Sequence, residues 1–271
     1  MKQPIEIMSY NEVVLDFAYQ VKNCINAMRD TIPFIQQHEL WKGMRDHKFV
    51  AGILAIISLL FSVFVLGDIV SVFGDVIKGD VVQSGLSSNM GEVSDAVKKE
   101  GKDAFFSGGT RYLLIILLEV VIFHFAVKTL SILTQEKRSP VFKDFLNAEF
   151  RMISVMFRNF LKGLVIHFFI YIAFSIFGIK DLTSVVMFFV YAYFIGFAFF
   201  DNYNEQFGKT IRESQGIIKQ HRWASTTLGI TVSGLIFVPF IGPVIAPILA
   251  SIAAIIYANR YNIEWQENAS S

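Results

Sequence analysis

The chain has 271 residues, of which 54% are apolar and 17% charged, with 28 Phe and a mean hydropathy of +0.50. Soluble domains carry about 25% charged residues, so this composition excludes a disordered chain, a nucleic-acid-binding domain and an ordinary soluble enzyme. The net charge of +1 names no acidic partner, and a single cysteine, Cys24, allows no internal disulfide or zinc site.

Residues 1–48 read as a cytoplasmic amphipathic segment. Val14, Phe17, Ala18, Val21, Ile25, Met28 and Ile32 recur at helical spacing, and Pro33 falls near the end of the stripe. Such a helix is expected to lie in the membrane interface. Cys24 is expected to be a small packed residue there. Six Lys or Arg precede the first apolar run, so no cleavable signal is expected.

Residues 49–66 hold no charge, and past Gly67 and Asp68 the run stays apolar to about residue 73. A spanning helix needs about 20 apolar residues, so 49–73 is expected to cross, tilted. Residues 74–104, rich in Gly, Ser and charge, read as an extracytoplasmic loop with a short helix near 92–99. A second spanning helix is expected over 105–134, carrying Glu119, His124 and Lys128.

Segment 140–200 reads as a basic helix running into a tight helical hairpin, with apolar legs 161–179 and 182–200 joined by Lys180 and Asp181. A basic cytoplasmic segment, 201–227, follows. The last stretch, 228–258, is interrupted by Pro239, Pro243 and Pro247, with Gly242 among them. Proline removes a backbone donor and crowds the preceding turn. The stretch is therefore expected to break into halves of about 11 and 11–15 residues and to form a re-entrant hairpin, its broken backbone buried in protein or facing water.

Basic residues dominate 1–48, the segment after the second helix and 201–227, whereas 68–110 is acidic on balance. Both termini are therefore expected to be cytoplasmic. The expected class is a single-domain, all-α integral membrane protein with two long spanning helices, partly penetrating helical hairpins and an amphipathic N-terminal helix.

Phe200, Asp201, Asn202 and Tyr203, then Ile211, Arg212 and Glu213, then His221 and Arg222, resemble the CysZ-type sulfate permeases and the related etoposide-induced endoplasmic-reticulum membrane proteins. Leu228-Gly229, Val238-Pro239, Ala246-Pro247 and Ala253-Ala254 keep the family's order, and Lys42-Gly43-Met44-Arg45 is similar to its glycine-hydrophobe-arginine motif. The resemblance covers 195–260 best. It implies two long spanning helices with partly penetrating hairpins, a homo-oligomer, the bacterial inner (plasma) membrane and uptake of an inorganic anion, sulfate in the bacterial members.

Several candidate sites follow, each with two readings. Gly43, Met44 and Arg45 precede a helix start, where exposed N–H groups, the helix dipole and a guanidinium suit an oxyanion; the plainer reading is a positive-inside anchor on lipid phosphate. Glu119 and His124 line a pathway, or pair with a neighbouring helix, since ionisable groups inside a bilayer seek protein or water. Lys128 reads as snorkelling to the cytoplasmic edge. Asp201 and Arg212 form a transport element, or a structural cap and salt bridge in which Asp201 meets Arg212 or Arg222. Pro239, Gly242, Pro243 and Pro247 expose backbone groups to an ion, or simply wedge the hairpin between helices. No metalloprotease, phosphate-loop, nucleophile-elbow or dinucleotide motif occurs in the sequence, so no enzyme, no cofactor and no metal site is expected. The rival to transport is a membrane-shaping scaffold of the same family.

Overall fold

The computed structural model describes residues 10–41, 118–136, 142–236, 238 and 241–261. The expected first spanning helix, the 74–104 loop and the start of the second spanning helix lie outside them. Seven helices and no strand occur among the described residues: α1 Tyr10–His38, α2 Glu119–Thr134, α3 Phe142–Ile176, α4 Leu182–Glu205, α5 Ile211–Gln220, α6 Arg222–Ile236 and α7 Gly242–Tyr261. The class is all-α, as the sequence indicates. Three helices are long and apolar enough to cross a membrane, over Asn147–Ile176, Leu182–Glu205 and Gly242–Arg260.

α3 and α4 form the expected hairpin. Gly178, at φ +71°, ends α3 in the left-handed conformation that favours glycine, and Ile179 N–H reaches back to the Phe174 carbonyl at 2.9 Å. Only 11% of the apolar span of α3 is buried inside the protein, against 72% of that of α7. Phe157, Val165, Phe168, Phe169 and Ile176 turn outward from α3, a surface compatible with lipid chains.

α7 sits at the centre and packs on α1, α2, α4 and α6. Its buried residues are mostly small: Ala246, Ala250, Ser251, Ala253, Ala254 and Ala258. Small side chains let neighbouring backbones approach, the usual basis of helix association in lipid. The antiparallel crossing of α4 and α6 carries this furthest. A Cβ on Gly196 would lie 1.8 Å from the Ser225 carbonyl oxygen, and one on Gly229 would lie 1.8 Å from that of Ala192. Ala192 and Gly196 on α4, like Ser225 and Gly229 on α6, are spaced four apart and share a helix face.

The tail stretch breaks differently from the expectation. Its two helices have 15 and 20 residues, and the break falls between Ile236 and Gly242. Pro243 lies in the first turn of α7, where its missing N–H would have had no helical partner. Pro247 lies inside α7 and does not end it. Gly242 lies so close to α6 that a Cβ there would stand 2.1 Å from the Leu235 carbonyl oxygen.

α1 also departs from the expected pattern. It runs on to His38 with Pro33 inside it. The face turned to the bundle holds Gln20, Asn23, Cys24, Ala27 and Thr31. Val14, Phe17, Ile25 and Ile32 of the apolar stripe are exposed instead. Cys24 is 1% exposed, as a packed residue should be, and its thiol donates to the Ala224 carbonyl.

Candidate functional site

Polar residues concentrate where α4 ends and α6 begins. α4 continues past the apolar run to Glu205, which carries Asp201 into the helix interior. There its carboxylate is 4% exposed and meets Arg151 of α3. Arg151 Nε donates to Oδ2 at 2.9 Å and Nη2 to Oδ1 at 3.0 Å, while Nη1 donates to the Lys209 carbonyl at 2.7 Å. Glu205, one turn on, lies 3.8 Å from Arg151 Nε. One guanidinium thus joins α3, the end of α4 and the loop before α5. This two-pronged geometry is the strong form of a carboxylate–arginine contact.

The loop then turns at Gly208, whose φ is +68°, and α5 opens with a capping box. The Glu213 N–H donates to Thr210 Oγ1, and Thr210 N–H donates to Glu213 Oε2 at 2.7 Å. The Thr210 backbone N–H, then its hydroxyl, hold the exposed Glu213 carboxyl below the usual carboxylate range. Asn204 Nδ2 donates to Ser214 Oγ at 2.9 Å, both residues buried, and fixes α5 on α4.

The start of α6 is capped from far away in sequence. Gln20 of α1 accepts from the N–H groups of Trp223 at 3.0 Å and Ala224 at 3.3 Å, and its own amide donates to the Gln220 carbonyl and to Asp16. A helix start leaves such N–H groups without intrahelical partners. His221 Nδ1 stands 3.1 Å from Tyr257 Oη of α7. Burial pushes the His221 imidazole down to about 4, against a smaller opposing pull from Asp16. Lys128 of α2 donates to the Leu40 carbonyl just past α1, at 3.0 Å, so its ammonium ties the end of α1 to α2.

The sequence candidates therefore separate. Asp201 belongs to this belt, but neither as a cap nor with the expected partners. Its partner is Arg151; Arg222 lies 5.2 Å over the Trp223 ring, and Arg212 is exposed in the first turn of α5. Asp201 sits inside α4, one turn before its end, too early to cap α5, a task Thr210 performs. His124 is half-buried in α2, edge-on to Phe125 at 5.8 Å. Glu119 is the first residue of α2, with its side chain outside the described residues. Gly242, Pro243 and Pro247 belong to the start of α7, at the far end of α6 from the belt, a helix length of about 22 Å away. Gly43, Met44, Arg45 and Pro239 lie outside the described residues. Among the described residues, no group of three or more His, Cys, Asp or Glu could hold a metal ion.

Arg151, Gln20, Asn204 and the His221–Tyr257 pair escape a reading by motif. One signal was present for Arg151. Folding the hairpin at 177–181 sets residue 151 opposite residue 201, as it sets Gly163 against the Tyr191 ring and Asn159 against the Phe194 carbonyl.

The family model described as sulfate transporter CysZ/etoposide-induced protein 2.4 matches residues 13–247. No curated protein and no solved structure matches the chain. The match runs from α1 through the break between α6 and α7 and across the Asp201 belt, so the chain belongs to the CysZ/etoposide-induced protein 2.4 family of membrane proteins.

Proposed function

We propose that this protein is a permease or channel for an inorganic anion, with sulfate the first substrate to test, acting as a homo-oligomer in the inner (plasma) membrane with both termini cytoplasmic. The family match over 13–247 carries the reading. The helices add support, since three are long and apolar enough to cross a bilayer. Arg45, with Gly43 and Met44, is the proposed anion contact: a glycine admits close backbone approach, and a guanidinium offers paired donors to an oxyanion. The wide uncovered face of α3 leaves room for lipid or a second protomer. Reconstitution into proteoliposomes tests the reading. Sulfate flux should exceed that of empty vesicles and fall in Arg45→Ala without loss of assembly. Equal flux in wild type, variant and empty vesicles rejects it.

A second reading is a membrane-shaping scaffold that conducts nothing. The outward apolar stripe of α1 favours it, because such a helix wedges one leaflet. Tubulated or thinned vesicles without anion flux would select this reading.

A further inference from the structure

Within the three apolar spans the Lys and Arg residues are Arg151, Arg158, Lys162 and Arg260. Asp201 holds Arg151, and Asp30 holds Arg260. Arg158 and Lys162 lie one turn apart on α3, both are exposed, and no carboxylate among the described residues pairs with either. The sequence puts none nearby on the hairpin: α3 has no acid after Glu149, and α4 has none before Asp201. Leu161, Val165 and Phe169 follow at steps of three or four residues and continue the same exposed face. The hairpin also fixes the level of the pair. Residues 163–179 and 182–200 hold no Asp, Glu, Lys or Arg. As helix they extend about 25–29 Å, which matches the hydrocarbon thickness of about 30 Å. Lys162 is the first charge on α3 past that length, and Arg158 follows about 6 Å further on.

We infer that Arg158 and Lys162 hold the phosphate of an anionic phospholipid, with an acyl chain laid along Leu161, Val165 and Phe169. The guanidinium offers two parallel donors to phosphate oxygens, and the ammonium three more that can turn to the remaining one. Both side chains have stems long enough to carry their charge from the edge of the acyl chains to the headgroup. Charge and shape together choose this occupant. A free oxyanion would gain from the two cations but nothing from the apolar face beside them. A zwitterionic lipid brings an ammonium of its own to the same place. A second copy seated here about a twofold axis presents the same surface patch, and so sets these cations towards their own copies. An anionic lipid meets the charge with its head and the apolar face with its tail. The inference does not rest on anion transport.

Native mass spectrometry of the full chain in an uncharged detergent decides it, with phosphatidylglycerol, phosphatidylcholine and sodium sulfate as probes. Each cation near a membrane surface is worth about fivefold in affinity for anionic lipid, so wild type should retain phosphatidylglycerol about 25-fold more tightly than phosphatidylcholine. Arg158→Gln and Lys162→Gln should each lower that preference about fivefold, and the double variant should erase it. Arg158→Lys should keep most of it. Lys143→Gln combined with Lys219→Gln, which removes two exposed cations elsewhere, should leave it unchanged. Equal retention of the two lipids by wild type overturns the inference even if a variant fails to fold. So does an undiminished preference in the double variant. Release of phosphatidylglycerol by sulfate, but not by chloride of equal ionic strength, would give the pair to the inorganic ion. Disulfide pairing of two Arg158→Cys chains in vesicles would give the face to a second copy. Either result also overturns the inference.

Discussion

Gly196 of α4 rests on Ser225 of α6 so closely that a single added methyl would stand 1.8 Å from the Ser225 carbonyl oxygen. The Ser225 hydroxyl donates to the Tyr193 carbonyl at 3.0 Å and locks the same crossing. Lipid gives packed helices no hydrophobic gain over separated ones, so close packing must supply the association.

Gly196→Ala and Gly229→Ala should therefore each force α4 and α6 apart. Overpacking costs about 1–3 kcal/mol, and a backbone obstacle lies at the upper end. Gly234→Ala is the control, since a Cβ there meets nothing within 4 Å. It should leave the thermal midpoint in detergent unchanged or raise it. Equal midpoints for all three variants would contradict the crossing.

Arg151→Gln should destabilise the protein severely. It strands the Asp201 carboxylate, whose side chain is 4% exposed, and frees the Lys209 carbonyl. Breaking a buried pair from one side costs about 3–5 kcal/mol. Arg151→Gln with Asp201→Asn should recover much of the loss, because neither remaining group carries charge. Unfolding midpoints of the two single variants and the double variant give the coupling directly. Additive losses would mean that the two side chains do not interact.

His221 predicts a stability loss in mild acid. Its imidazole titrates at about 4 in the folded protein, below the ordinary 6.5, chiefly through burial. The unfolded chain therefore takes up the proton first as pH falls. The contribution of His221 is fully present above about pH 6.5 and is lost progressively towards about pH 4. The slope inside that window is about 1.4 kcal/mol per pH unit for one group. His221→Phe should flatten this part of the profile of unfolding midpoint against pH. A profile identical to wild type would assign the acid sensitivity elsewhere.

Cys24 should be silent to maleimide in the native protein. It is 1% exposed, and burial pushes its thiol up to about 12, so little thiolate exists at neutral pH. Cysteines introduced elsewhere can then be read against a wild-type background. The charge-free legs 163–179 and 182–200 would each extend about 25–29 Å as helix, close to the hydrocarbon thickness of about 30 Å. Lys180→Cys at the tip and Lys219→Cys on α5 should accordingly label from opposite faces with an impermeant reagent. Labelling of both from one face, or protection of residue 180 from each side, would show a hairpin that stops short.

Much of this architecture was legible in the residues. Run length and the Lys180–Asp181 junction give the α3–α4 hairpin, and the prolines give the break before α7. The position of the break was not, because proline is tolerated in a first helical turn and, as Pro247 shows, further inside a packed helix. The orientation of α1 was hidden for another reason. Apolar periodicity assigns a helix an inner face on the premise that outside means water, whereas Gln20, Cys24 and Thr31 face the bundle and Ile25 and Ile32 face away. The candidate site was half legible. Asp201 stood out as a charge at the end of an apolar run, but its partner came from the register of the hairpin. Gln20 carried no local mark, because its role depends on a helix start 203 residues away.

That cap also orders events during synthesis. Gln20 leaves the ribosome long before Trp223 exists, and at about 5–20 residues per second the interval is 10–40 seconds. Throughout it, the amide has only Asp16 of its own helix and water as partners. The start of α6 gains this cap only when α1 meets it, so α1 is a latch made early and closed late.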